Sequence, residues 1–187
     1  CAVHPWYPAD WLVENILVFI FVPVAIHHYR VAPVSNLAYV TLFIFFCLHS
    51  IGSHYTYAQV PYDAWWQSLT GSTFNELMGW QRNHYDRLVH FTYGLLVTVI
   101  WTELLLRRVR GLDGFWRWLV PWAFMVAHGE IYELVEWIAA VAFGGDLGDA
   151  YLGTQGDTWD AHKDMALAAL GSAITIGWML ATGRLAP

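Results

Sequence analysis

The chain has 187 residues, of which 57% are apolar and 13% are charged, whereas about a quarter of the residues in a soluble domain are charged. This deficit excludes an ordinary soluble protein, and a formal net charge of −6 with nine Lys and Arg residues excludes a basic surface for nucleic acid. We therefore predict one all-α transmembrane domain over residues 1–187, surrounded by membrane lipids.

Five runs are long and apolar enough to be membrane-spanning helices, which need about 20 such residues. In chain order they are Trp11–Tyr29, Asn36–Ile51, Arg87–Leu106, Phe115–Phe143 and Met165–Gly183. The fourth run is so long that we expect it to tilt, protrude or break near Gly129. Because the chain starts at Cys1 and enters a span almost at once, we also expect a signal segment or a sixth span before this stretch.

Basic residues in the short loops predict the orientation of the spans. Arginines crowd the loop between the third and fourth spans, and a cytoplasmic location for this loop puts six basic residues inside and three outside. The N-terminus of the stretch is then outside and its C-terminus is cytoplasmic. The segments Gly52–Asp86 and Gly144–Lys163 become the outer loops.

Under this topology, four spans carry their ionisable side chains to the outer side of the bundle. These side chains belong to His49, His54, His84, Asp86, His90, His128, Glu130, Glu133, Glu136, Asp157, Asp160, His162 and Asp164. Asp86 and His90 are four residues apart and share a helix face, and the three glutamates follow one another at intervals of three. An acid at the centre of a membrane helix costs about 2.5–3.5 kcal/mol, so we expect these acids to have histidine, arginine or metal partners.

The mixture of imidazole and carboxylate groups indicates which metals would bind. Such ligands favour zinc, manganese or iron over calcium and magnesium, so we predict a site for a divalent transition metal. The expected ligands are His54, His90, Glu133 and Asp160, then Asp86 and Asp157, with His49, His84 and Asp164 as further candidates. Because the sequence contains no HExxH, CxxC pair or paired Glu-x-x-His motif, this ligand set is inferred from topology and residue type.

The remaining polar groups have candidate roles in catalysis. Glu130 or Glu136 would act as a general base if the bundle removes it from water. Arg82 or Arg87 would hold an anionic headgroup, because a guanidinium group pairs well with phosphate. Asp157 also fits a helix N-cap, which is a purely structural alternative to metal binding.

Four strings of residues occur in the order found in one family of membrane proteins. They are His49–Pro61, Arg82–Phe91, Tyr132–Trp137 and Tyr151–Asp160. Over residues 45–170 the sequence resembles the YjdF-type bacterial inner-membrane proteins. The resemblance implies a bacterial inner membrane and a multi-helix bundle, and it assigns no catalytic residue.

Three functions follow as hypotheses from the predicted outer cluster. The first is a metal-dependent enzyme, such as a hydrolase, whose metal activates water against a lipid or lipid-linked substrate at the outer leaflet. The second is a proton- or cation-coupled transporter that uses the acids and histidines as a relay. The third is a haem or redox subunit in which His49 and His90 face each other. No protein partner is predicted from the sequence.

Overall fold

The computed structural model describes residues 3–144 and 152–185. All regular secondary structure in these ranges is helical, as predicted. In chain order the elements are α1 (Pro8–Val31), α2 (Asn36–His54), α3 (Tyr62–Thr70), α4 (Phe74–Met78), α5 (Tyr85–Thr92), a π turn (Tyr93–Val97), α6 (Thr98–Arg108), α7 (Trp116–Phe143) and α8 (Asp160–Ala181). The π turn connects α5 to α6 in one continuous helix, Tyr85–Arg108, which we call the joined helix. Residues 145–151 of the predicted outer loop lie outside the described residues.

Within residues 3–144 and 152–185, four helices are long and apolar enough to cross a membrane, namely α1, α2, the joined helix and α8. They correspond to four of the five predicted spans. The remaining one, α7, has 28 residues and would extend about 42 Å, and its C-terminal half carries the three glutamates Glu130, Glu133 and Glu136. Because α7 continues through Gly129, tilting or protrusion would have to accommodate its length, since the helix does not break.

Local side chains explain where the helices begin. Pro8 starts α1, and proline is favoured in the first turn because an N–H group would have no helical partner there. The Ser35 hydroxyl accepts a hydrogen bond from the Ala38 N–H (3.2 Å) and caps α2. The last helix, α8, starts at Asp160 rather than at the predicted Met165, because its first turn is polar and the prediction followed apolar residues.

The predicted outer segment Gly52–Asp86 contains the two short helices α3 and α4. The Tyr62 hydroxyl donates to the Asn75 side-chain oxygen (2.7 Å), and Asp63 accepts a hydrogen bond from the Asn75 backbone N–H (2.9 Å). Several apolar side chains of this pair remain exposed: Trp65, Trp66, Leu69, Leu77 and Met78. An amphipathic helix pair of this kind suits the interface between membrane and water.

Two glycines allow α8 to pack directly against the joined helix. A Cβ atom on Gly94 would collide with the Ala168 carbonyl oxygen, and a Cβ atom on Gly171 would collide with the Phe91 carbonyl oxygen. Small residues at such contacts are typical of membrane helix pairs, because they let the backbones approach closely.

The π turn lies at this close contact. Such a turn leaves carbonyl groups without their regular helical partners, and these groups need other donors inside a membrane. The Thr98 hydroxyl donates to the Gly94 carbonyl oxygen (2.5 Å), and the Thr175 hydroxyl of α8 donates to the Leu95 carbonyl oxygen (2.5 Å). The bond from Thr175 also connects α8 to the joined helix, and the start of α8 lies beside the start of α5.

Candidate metal centre

In the part of the chain that the structure describes, two overlapping groups of side chains are close enough to hold a metal ion. They are Asp86, His90 and Asp164 in one group and His90, Glu133 and Glu136 in the other. In each group, one ligand atom per residue lies within 4.8 Å of the others. Because His90 belongs to both groups, the five side chains form one assembly from α5, α7 and α8, which we call the carboxylate–histidine cluster.

Helix geometry explains why these side chains meet. Asp86 and His90 share a face of α5 at a spacing of four residues, and Glu133 and Glu136 are neighbours on α7 at a spacing of three. The imidazole of His90 is central, because its Nε2 lies 3.6 Å from Asp86 Oδ1 and 3.5 Å from Glu133 Oε1. An ion bound to this nitrogen would therefore have carboxylate oxygens from two helices within reach.

Two oxygen atoms of the cluster, Asp164 Oδ1 and Glu133 Oε1, are buried and make no hydrogen bond among the described residues. Asp164 is 2% exposed and His90 is 8% exposed. Burial of an ionised carboxylate without a partner is strongly unfavourable, and buried polar atoms in proteins normally have one. A cation bound beside His90 would give such an oxygen a partner.

Two further acids, which were not among the predicted site residues, reach this region from α1. Asp10 and Glu14 are both buried, and Glu14 Oε2 accepts a hydrogen bond from the Tyr132 hydroxyl of α7 (3.1 Å). Glu14 also lies close enough to Asp86 to interact with it electrostatically. The sequence contained a signal for this pair, because two acids four residues apart share one face at the start of an otherwise apolar helix.

A second set of charged residues pairs internally, and we call it the arginine–aspartate network. Arg82 Nη1 lies 2.6 Å from Asp160 Oδ1, and Arg87 Nη2 lies 2.5 Å from Asp157 Oδ2 and 3.0 Å from Asp160 Oδ1. The Lys163 ammonium lies 2.5 Å from the same Asp157 oxygen. The network connects the segment before α5 to the segment before α8, and it supplies both aspartates with cations.

The network also influences protonation at two residues outside the helices that could span the membrane. Hydrogen bonds from Lys163, from the Trp159 N–H and from Arg87 hold the pKa of Asp157 well below its usual range. Burial, reinforced by the neighbouring Arg87 and Arg82, lowers the pKa of His84. Asp157 is therefore an ionised partner of the basic side chains, and His84 is a neutral imidazole at pH 7.

An apolar cavity of about 190 Å³ lies beside the carboxylate–histidine cluster. Side chains of α1, α2, the joined helix and α7 line it. Asp86 and His90 lie at one end and Leu104 lies at the other, with mostly aliphatic and aromatic side chains between them. A few polar groups beside an apolar pocket are typical of a small-molecule binding site.

A family model described as "Predicted membrane protein (DUF2238)" matches residues 1–184. The chain belongs to the DUF2238 family. It is 38% identical over 171 residues to "Inner membrane protein YjdF" of Escherichia coli (strain K12), in a match that covers 89% of this chain and 75% of that protein. The predicted resemblance to YjdF-type proteins is confirmed, and together with the four candidate spans it supports a multi-pass protein of the inner membrane. No solved structure matches the chain.

The other predicted site residues of this DUF2238 protein lie outside the carboxylate–histidine cluster. His54 packs against Tyr55 at the end of α2, with 4.6 Å between the ring centroids. His49 Nδ1 forms a hydrogen bond with the Tyr57 hydroxyl (2.5 Å). Glu130 is exposed on α7. The metal-binding, substrate-binding or catalytic roles of these residues stay predictions, as do those of Arg82, Arg87, Asp157 and Asp160 in the arginine–aspartate network.

Proposed function

We propose that this protein is a membrane-embedded metalloenzyme that acts on a lipid or lipid-linked substrate at the outer leaflet. The observation that carries the proposal is the carboxylate–histidine cluster, in which His90 Nε2 lies between carboxylates of two helices. The buried oxygens of Asp164 and Glu133 that make no hydrogen bond support a cation at this place.

Charge balance in this region supports the same conclusion. Six acids belong to the cluster or its surroundings: Asp10, Glu14, Asp86, Glu133, Glu136 and Asp164. Within the cluster His90 is the one basic side chain, whereas Arg82 and Arg87 are engaged by the aspartates of the network. A divalent cation would reduce the repulsion among the carboxylates, which buried acids otherwise relieve by taking up protons.

Residue type narrows the class of metal and the division of roles. One imidazole with several carboxylates suits zinc, manganese or iron better than calcium. We assign His90, Asp86, Asp164 and Glu133 to the metal, which would lower the pKa of a bound water molecule to about 7. Glu136 belongs to the cluster and would accept the proton from that water.

The charged residues at both ends of the bundle favour an enzyme over a relay. Glu103, near the opposite end of the joined helix, accepts hydrogen bonds from the Ser35 N–H (2.8 Å) and hydroxyl (2.5 Å). It thereby holds the start of α2 and has a structural role, rather than continuing a chain of proton-carrying groups.

A lipid headgroup phosphate would have to compete with Asp157 and Asp160 for Arg82 and Arg87, so the proposal does not depend on those arginines.

Metal analysis of the full chain, purified without chelator, tests this proposal. We expect about one or two equivalents of zinc, manganese or iron per chain, and we expect the variants His90→Gln and Asp164→Asn to lose most of the metal. Glu130→Gln is the matched control, because it removes an exposed carboxylate from the helix that carries Glu133. Asp160→Asn should also retain metal, because Asp160 is paired with Arg82.

Two outcomes would contradict the proposal or its ligand set. Folded wild-type protein that stays free of transition metal, after growth in medium supplied with all three, would overturn it. Loss of metal in Asp160→Asn together with retention in Asp164→Asn would instead support the ligands first predicted from the sequence. A haem absorption band would favour the redox alternative.

A further inference from the structure

We propose that the apolar cavity binds one hydrocarbon chain of a lipid, with the lipid headgroup at the carboxylate–histidine cluster. The binding of the chain is inferred from the cavity itself, and the location of the reacting headgroup rests on the proposed function. A hydrocarbon chain in this cavity would make the substrate a lipid, because a soluble substrate would leave the cavity unused.

The cavity is lined mostly by aliphatic and aromatic side chains. Side chains such as Phe21, Leu42, Phe45, Val97 and Ile100 surround a volume of about 190 Å³. An apolar cavity of this kind does not hold water well and accepts an apolar occupant instead. Unfilled space inside a bundle lowers stability, so a cavity of this size indicates a ligand that fills it.

The cavity lies along the joined helix. It extends along the joined helix from Asp86 to Leu104, which at 1.5 Å per residue is about 27 Å, close to the hydrocarbon thickness of a bilayer, about 30 Å. An apolar channel lined over this length suits an extended hydrocarbon chain, which would contact side chains along the whole stretch.

Part of the cavity lining, on α1, is exposed. Leu17 and Val24 of α1 line the cavity and are 37% and 57% exposed. Helix α1 therefore does not seal the cavity from the surroundings of the bundle. Around a membrane-spanning helix those surroundings are lipid chains.

The polar end of the cavity lies at the carboxylate–histidine cluster. Asp86 and His90 belong to both the cavity lining and the carboxylate–histidine cluster. A chain inserted with its methyl end toward Leu104 would thus leave its polar end beside His90 Nε2. A saturated acyl chain and a methyl-branched prenyl chain share this chemistry, and the experiment below distinguishes them.

Photolabelling of the full chain in lipid nanodiscs tests the inference. One arm uses a phosphatidylcholine with a diazirine in the middle of an acyl chain, and the other uses a polyprenyl phosphate with a diazirine in its chain. Labelled residues are identified by mass spectrometry. We expect label on Val97 and Ile100, because both are buried and a lipid chain reaches them through the cavity.

A pair of neighbouring residues supplies the matched variants. Ala25 lines the cavity, whereas Ile26 is 50% exposed and points away from it. Ala25→Trp should fill the channel and lower labelling of Val97 by about tenfold, and Ile26→Trp should leave it unchanged. If Ala25→Trp does not fold, the smaller Ala25→Leu serves the same purpose with a smaller expected loss.

The outcomes separate this inference from the proposed function. Absence of label on Val97 and Ile100 with both probes, or equal labelling in the Ala25→Trp and Ile26→Trp variants, would overturn the chain-binding site even if the protein holds metal. Label that responds to Ala25→Trp in a protein without metal would support the chain-binding site and contradict the metalloenzyme. Label from one probe alone would identify the chain as acyl or prenyl.

Discussion

Asp160 and Asp164 lie one turn apart on α8, and their hydrogen bonds differ. Asp160 receives hydrogen bonds from Arg82 (2.6 Å) and Arg87 (3.0 Å), whereas Asp164 Oδ1 is buried and makes no hydrogen bond within the described part of the chain. A carboxylate that already has guanidinium partners stabilises the fold and has little capacity left for a ligand. We therefore propose the cation at the aspartate whose Oδ1 has no hydrogen bond among the described residues, rather than at the aspartate that is paired with arginines.

The largest expected effect is an all-or-none difference in cysteine labelling. It tests on which side of the membrane the arginine–aspartate network and the carboxylate–histidine cluster lie. If the positive loop is cytoplasmic, Ser68→Cys in α3 is external and Gly111→Cys is internal. A membrane-impermeant maleimide should therefore label intact cells at position 68 and not at position 111. The reverse pattern would show that the arginine–aspartate network and the carboxylate–histidine cluster both face the cytoplasm.

The next largest effect is the loss of the paired arginine. Arg82→Gln removes one of the two arginines that pair with the buried Asp160, and because Arg87 remains we expect a loss of unfolding free energy below the roughly 3–5 kcal/mol of a fully broken buried pair, of about 2 kcal/mol. The measurement is thermal or denaturant unfolding in detergent, with Arg110→Gln on the exposed loop as control. The double variant Arg82→Gln/Asp160→Asn should recover part of the loss. Equal stability of the Arg82→Gln and Arg110→Gln variants would remove the contrast between the two aspartates.

A smaller effect on stability is expected inside the carboxylate–histidine cluster. Glu133→Ala removes a carboxylate from a crowded site, so we expect the unfolding free energy of metal-free protein to change by less than about 1 kcal/mol. Metal affinity should fall by at least about tenfold, as measured by competition with a chelating dye. Glu130→Ala, three residues away and exposed, is the control for both measurements. A Glu133→Ala variant that unfolds early but keeps its metal would show that Glu133 is a structural partner of His90.

Much of the site was predictable because its spacing is local. Asp86 and His90 had to share a helix face, and Glu133 and Glu136 likewise, once their segments were recognised as helices. The two acids of α1, Asp10 and Glu14, were not predicted as site residues. A membrane-spanning helix is recognised by its apolar residues, and acids in its first turns do not change that pattern, although Glu14 lies inside the predicted span.

The sequence by itself determined the all-helical class, the approximate positions of the apolar helices and most of the residues from which the site is drawn, because these depend on composition and on spacing along one chain. Only the tertiary structure decided which acids obtain partners. Contact between helices depends on their rotation and separation, which the close approach at Gly94 and Gly171 sets here. That approach puts Asp164 beside His90 and leaves Asp160, one turn earlier on α8, to the arginines.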